Sequence, residues 1–232
     1  MNIFPEFSTA SEVRWDALIF GHLFWNRYFG ETPDNPPRGA PSTCSSVLIR
    51  GRGYCLMVDP AIRHSAEECY FDLNRRTGLL PEAVTHCFST HHHFDHWNGL
   101  KYFPNAQWLT AKGNAPLIAE AVREAVNRDP GDGLSPAIPA ERIQEVSGEF
   151  LPGVYALPLP GHTDSLHGIA FRSGKKRILI AADSVMTSGH FADRITEFQP
   201  DPAMQKTAAS TIADIAESFD LVVPGHDNLI VL

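Results

Sequence analysis

The sequence predicts an α/β protein of two sheets packed together, with helices outside, in one domain. Three observations point there. Strand-like apolar runs dominate both halves of the chain, with helical patterns between them. The 232 residues suit one good-sized domain spanning 1–232. Four of the apolar runs end in polar residues of one chemical kind, and the ends of strands in α/β sheets are where sites gather.

Taken in order, "DALIFGHLFWNRYFGE" fits a long strand or a buried helix by periodicity, and its Phe, Trp, Tyr and Ile, which favour pleated surfaces, tip the reading to strand. "TPDNPPRGAPST" carries four prolines and is a loop. "CSSVLIRGRGYCLMVDP" is a hairpin, two short strands around the turn "GRG". "SAEECYFDLNRRTG" is a helix stopped by Gly78. "AVTHCFST" is a buried strand that runs straight into "HHHFDH", and "AQWLTA" is the next strand. "GNAPLIAEAVREAVN" is an amphipathic helix, followed by the Pro/Gly-rich loop "RDPGDGLSPAIPAE". Strands then come quickly: "RIQEVSG", "VYALPLPG", "HGIAFRSG" and "KRILIAAD". "DPAMQKTAASTIADIAESF" is a long helix with Asp201 and Pro202 as N-cap and first residue, and "DLVVPGH" follows.

Composition narrows the function classes. A net charge of −8 with only short basic runs, "NRRTG" and "GKKR", argues against nucleic acid as the main partner. No run approaches the roughly 20 apolar residues that span a bilayer, and the N-terminus lacks the basic and apolar regions of a signal peptide. Four cysteines with no CxxC pair suggest reduced thiols and a cytoplasmic setting. The aromatic N-terminal segment could pack across a dimer, but the oligomeric state is not readable.

The chemistry lies in the polar residues at the strand ends. "STHHHFDHWNGL" holds His91, His92, His93, Asp95 and His96 within six positions. "YALPLPGHTD" ends on His162, "ILIAADS" on Asp183 and "LVVPGHDN" on His226. A Pro-Gly pair just before a histidine fixes the turn and aims the imidazole. Imidazoles with carboxylates suit zinc first, with iron or manganese as other candidates. His91 and His93, one residue apart, can point the same way. His92 alternates with them and should face elsewhere. Asp95 and His96 follow round the turn and can serve a second ion, and Asp183 could bridge both. His22, His64, His86, His167 and His190 have no companion motif and are read as surface or hydrogen-bonded histidines. His190, seven positions beyond Asp183, is the one of them that could reach a substrate.

His-x-His-x-Asp-His followed by "PGHT", "AADS" and "PGHD", with "LMVDP" before them, resembles the metallo-β-lactamase-fold hydrolase superfamily. The five motifs run in order from Asp59 to His226. The tail from "FQPDPAMQ" to "VVPGH" is similar to the metallo-β-lactamase-domain-containing branch. The resemblance implies a four-layered αββα sandwich with the site between the sheets at one edge. It implies that His91, His93 and His162 hold one divalent ion, that Asp95, His96 and His226 hold a second, and that Asp183 bridges. It makes Asp59 the acceptor of a hydrogen bond from a ligand imidazole. Thr90, Thr163 and Asp227 flank ligands and serve either as such supports or as caps and turns.

Two close divalent ions lower the pKa of a bridging water, and the hydroxide attacks a carbonyl or phosphoryl centre. Asp95 is the catalytic candidate, able both to ligate and to orient the nucleophile or shuttle a proton. The expectation is a dinuclear hydrolase of a small ester, thioester, lactone or phosphoester. A bridging Asp183 argues against β-lactam hydrolysis. With six residues after His226, no helical domain of the glyoxalase II kind is expected. Lactonases usually carry a tyrosine three positions after the bridging aspartate, where this chain has Met186. The other reaction class of the same fold is a sulfur dioxygenase, with one iron on His91, His162 and Asp183. A nuclease is a weaker alternative, and a non-catalytic metal-binding scaffold is a further one. The segments Asn26–Thr43 and Met186–Pro200 are expected to act as lids.

Overall fold

The computed structural model describes residues 1–7, 12–35, 42–60, 65–128 and 138–232. It contains two six-stranded mixed sheets. The first runs β1 (Arg14–Ile19), β2 (Ser46–Gly51), β3 (Tyr54–Val58), β4 (His86–Ser89), β5 (Gln107–Ala111) and β6 (Gln144–Val146), in chain order. β1 to β3 pair antiparallel, and β3 to β6 pair parallel. The second runs, from one edge, β7 (Gly148–Leu151), β8 (Val154–Pro158), β9 (His167–Ser173), β10 (Lys176–Ala182), β11 (Leu221–Pro224) and β12 (Ile230–Val231). Its pairs are antiparallel except β10 with β11, which the helix α5 (Pro202–Ser218) connects.

Period-two burial separates the layers. Val47, Ile49, Leu56, Val58, Phe88 and Leu109 of the first sheet pack against Val154, Ile169, Phe171, Ile178, Ile180 and Val223 of the second. Their neighbours in sequence face outward. Leu48, Met57, Cys87 and Trp108 meet α1 (Ala66–Thr77) and α3 (Ala115–Arg128) through Cys69, Leu73, Ile118 and Val122. Ala170, Leu179, Ala181 and Val222 meet α5 through Ile212, Ile215 and Phe219. Two sheets with helices on both outer faces make the αββα sandwich.

The predicted helix ends form: Gly78 closes α1 in the left-handed region at φ 72°, and the structure adds an N-cap there, the Ser65 hydroxyl accepting from Glu68 N. Asp201 caps α5 with Pro202 next. The aromatic N-terminal run departs from the expectation of one long strand. β1 ends at Ile19, His22 makes a single bridge to Thr43, and Arg27–Phe29 is a 3₁₀ turn capped by Asn26 and Gly30. Aromatic content favoured a pleated surface, but the segment leaves the sheet edge to follow the site. The short elements not anticipated include β7, β12, the one-turn helix α2 (Phe94–Trp97) and the helix α4 (Ser188–Asp193), which lies in an expected lid. His64 and most of "RDPGDGLSPAIPAE" lie outside the described residues, as does part of the Asn26–Thr43 lid. Among the described residues, no helix is long and apolar enough to cross a membrane.

Candidate metal centre

Four strand ends from both sheets converge. The turn after β4 carries Thr90 to His96 from the first sheet. The ends of β8, β10 and β11 carry His162, Asp183 and His226 from the second. Two groups of donor atoms result. His91, His93, His162 and Asp183 bring one ligand atom each within 4.8 Å of one another, and Asp95, His96 and His226 do the same. All seven predicted residues are in these groups. His92 is in neither, and its backbone carbonyl accepts from Trp97 Nε1.

Asp183 turns one oxygen to each group. Its Oδ2 lies 3.5 Å from His162 Nε2 and 3.9 Å from His91 Nε2. Its Oδ1 lies 3.2 Å from both His96 Nε2 and His226 Nε2. Asp95 Oδ2 stands 3.6 Å from His226 Nε2 and 3.9 Å from His96 Nε2.

Both Pro-Gly turns have a steric reason. A Cβ on Gly225 would strike Asp183 Oδ1, so "PGH" lets β11 pass directly behind that carboxylate. Gly161, at φ 142°, lies where a Cβ would meet Ala208 Cα of α5 at 2.5 Å.

The remote nitrogens of three imidazoles are held. His96 Nδ1 donates to Asp59 Oδ2 at 2.9 Å, and Asp59 also accepts from Thr90 N and Thr90 Oγ1, each at 2.8 Å. Asp59 thus has the supporting position anticipated for it, and Thr90 locks it. His226 Nδ1 donates to Thr43 O at 3.1 Å. His162 Nδ1 faces Glu197 O and Thr196 Oγ1, each at 3.3 Å. Fixing the far nitrogen leaves each Nε2 aimed inward. Asp227 accepts from Ser188 N and Oγ, a turn role.

Electrostatics divides the groups. Burial pushes His93 down to about 3, with His162 adding to the effect. Burial also holds His91 and His162 low, so these rings are neutral and ready to ligate. At His96 burial is outweighed by Asp183, Asp59 and Asp95, which hold the ring above its ordinary range. Asp183 and Asp95 do the same for His226. Burial opposes ionisation of Asp183, but His226 and His96 hold its carboxyl well below the usual range.

The donor set fits divalent metal. His91 Nε2, His96 Nε2 and Asp183 Oδ1 are buried without a hydrogen-bond partner. Such atoms cost free energy unless something binds them, and all three point at the shared centre. Two adjacent His/Asp clusters sharing a carboxylate fit a dinuclear metal hydrolase site.

A model of the metallo-beta-lactamase superfamily matches residues 39–226. The chain belongs to this superfamily. Within it, the chain is 23% identical over 166 residues to an N-acyl homoserine lactonase from a Bacillus species, covering 69% of this chain and 63% of that protein. It is 25% identical over 185 residues to metallo-beta-lactamase domain-containing protein 1 of Xenopus laevis, covering 78% and 70%. The chain spans about three-fifths of the length of the lactonases it matches, 63% of one and 60% of another. Among solved superfamily structures, the B. thuringiensis lactonase AiiA, with N-decanoyl-L-homoserine bound, aligns over 94% of both chains at 16% identity and TM-score 0.64. The dizinc quorum-quenching lactonase AidC aligns over 82% of this chain and 76% of its own, at 16% identity and TM-score 0.58.

Several residues around the centre carried no sequence signal. Thr196, Glu197 and Gln199 all touch His162, and Cys44 Sγ donates to the backbone carbonyl of Asp95 at 3.1 Å. They are isolated residues in loops, brought to the ligands only by folding. His190, fully buried, stands behind the centre with Nδ1 2.7 Å from Thr187 Oγ1.

Proposed function

We propose that the chain is a dinuclear metal-dependent hydrolase of a small carboxylic ester or lactone, with thioesters and phosphoesters as the neighbouring classes. The observation that carries this reading is Asp183, with one carboxylate oxygen facing each cluster. In this reading His91, His93 and His162 hold one ion, and Asp95, His96 and His226 hold the other. Zinc is the preferred metal, from the imidazole-carboxylate donor set and the dizinc site named for AidC.

The ions, when bound, supply Lewis acidity and make water a nucleophile near neutral pH. The chain's own residues do the rest. Asp95 has the more accessible carboxylate, 18% exposed against 5% for Asp183. It can therefore orient the nucleophile, take its proton and hand it on. Asp59, through His96, and Thr43, through His226, keep two ligand rings from turning during that exchange.

The rim supports a neutral substrate with an apolar substituent. Trp25 and Phe198 meet edge to face with ring centroids 5.8 Å apart, and Phe198 remains 58% exposed. Phe198 sits between Glu197 and Gln199, both in contact with His162, so the pair borders the first cluster. The lactonase names of the relatives point the same way. Four free, buried cysteines accord with a cytoplasmic setting.

The test is metal content per chain by elemental mass spectrometry, followed by an ester, lactone and phosphodiester panel. Two zinc ions per chain and turnover of esters or lactones are expected. Asp183→Ala should lose both ions and His226→Ala only one. One iron per chain, with oxygen consumed on thiol persulfides, would replace this reading with the dioxygenase.

A further inference from the structure

We propose that Glu197 is a positioning residue for His162, tethered from across the chain by Arg27 and His190. This rests on the metal-site reading above and extends it to residues outside the ligand set.

Residues 194–199 form a strap over His162. Glu197 O and Thr196 Oγ1 each lie 3.3 Å from His162 Nδ1, and Gln199 Nε2 donates to His162 O at 3.1 Å. The strap does not rest in a relaxed conformation. Arg194 and Phe198, on either side of Glu197, have positive φ of 55° and 61°. Side-chain-bearing residues disfavour that region, so other contacts must hold it.

Those contacts centre on the Glu197 carboxylate. Arg27 Nε forms an ion pair with Glu197 Oε1 at 3.0 Å, and His190 Nε2 stands 3.4 Å from the same oxygen. His190 is itself fixed, with Thr187 at Nδ1 and the Tyr28 ring edge-on at 5.0 Å. Tyr28 in turn donates to Asp193 Oδ2 at 2.8 Å. Arg27 and Tyr28 belong to the 3₁₀ turn of the N-terminal segment. Nearby in that segment, His22 bridges to Thr43, whose carbonyl holds His226. Glu197 is mostly buried and Arg27 half-exposed. Their separation in sequence explains why no motif announced them.

The test is stepwise zinc binding to the metal-free full chain, in competition with a chromophoric chelator. Wild type, Glu197→Gln, Arg27→Ala and Arg27→Lys are compared. His162→Ala identifies which binding step uses His162, and Phe29→Ala, an exposed residue of the same turn, is the control. In Glu197→Gln and Arg27→Ala that step should weaken about tenfold, in line with the loss of a partner behind a metal ligand. The other step should be unchanged, and Arg27→Lys should recover part of the loss. The visible spectrum of the cobalt-loaded variants should change as well. A purely structural role would weaken both steps together or lower only the melting temperature, and either result overturns the proposal. Unchanged binding overturns it too. If wild type binds two zinc ions with this pattern but cleaves no ester, the hydrolase reading fails and the tether stands. If wild type takes up no zinc, both fall.

Discussion

At Asp183 a single side chain answers to two clusters, and its freedom to do so depends on a glycine. Gly225 lies against Asp183 Oδ1, where any Cβ would displace the carboxylate. Gly225→Ala should therefore lower metal occupancy of both clusters and destabilise the fold by about 1–3 kcal/mol, as overpacking does. Elemental analysis and urea unfolding of the purified variant read both effects. Full occupancy would show that the turn can shift without moving Asp183. The histidines on either side of Asp183 differ in kind. Burial holds His91, His93 and His162 low, whereas the surrounding carboxylates raise His96 and His226 above the ordinary imidazole range.

Among the elements, the parallel pair β10–β11 matters most, since it delivers Asp183 and His226 side by side. Its entry is fixed by an ion pair. Asp220, just before β11, accepts from Arg177 N, Nε and Nη2 at the start of β10. The Arg177 hydrogen bonds bring the Asp220 carboxyl down to about 2. A depressed folded-state pKa adds stability above the unfolded value, near 3.9, and loses it as pH falls through 2. The gap in melting temperature between wild type and Asp220→Asn should thus be present at pH 5 and shrink toward pH 2. The pair is partly exposed, so the gap should be modest and reduced by salt. A constant gap would assign the loss to packing rather than charge.

For the molecule as a whole, the site joins two sheets that pack through an apolar core. β4 supplies ligands from one sheet, and β8, β10 and β11 supply them from the other. Metal bound there should stabilise the whole sandwich. At a free zinc concentration of 100 times Kd, each ion contributes about 2.7 kcal/mol. For a domain of this size that is roughly 5–10 °C in melting temperature per ion. Chelation with EDTA should reverse the rise, as calorimetry would read. An unchanged melting temperature would mean that the clusters do not bind zinc in the folded state.

The sequence by itself determined the α/β class, most of the strands and helices, and all seven residues that meet at the centre. It could do so because each ligand stands in a short motif at a strand end, and strand ends are marked by local turn chemistry such as the Pro-Gly before His162 and His226. Asp59 was legible for the same reason. The tertiary structure alone decided that the aromatic run leaves the sheet after Ile19, because composition reports pleat preference and not where an edge strand must stop. It alone decided which Asp183 oxygen faces which cluster, and which residues stand behind the ligands. Arg27 and Glu197 are 170 positions apart and Cys44 and Asp95 are 51 apart. Contacts of that reach are set by how two sheets pack, and no local pattern of residues encodes them.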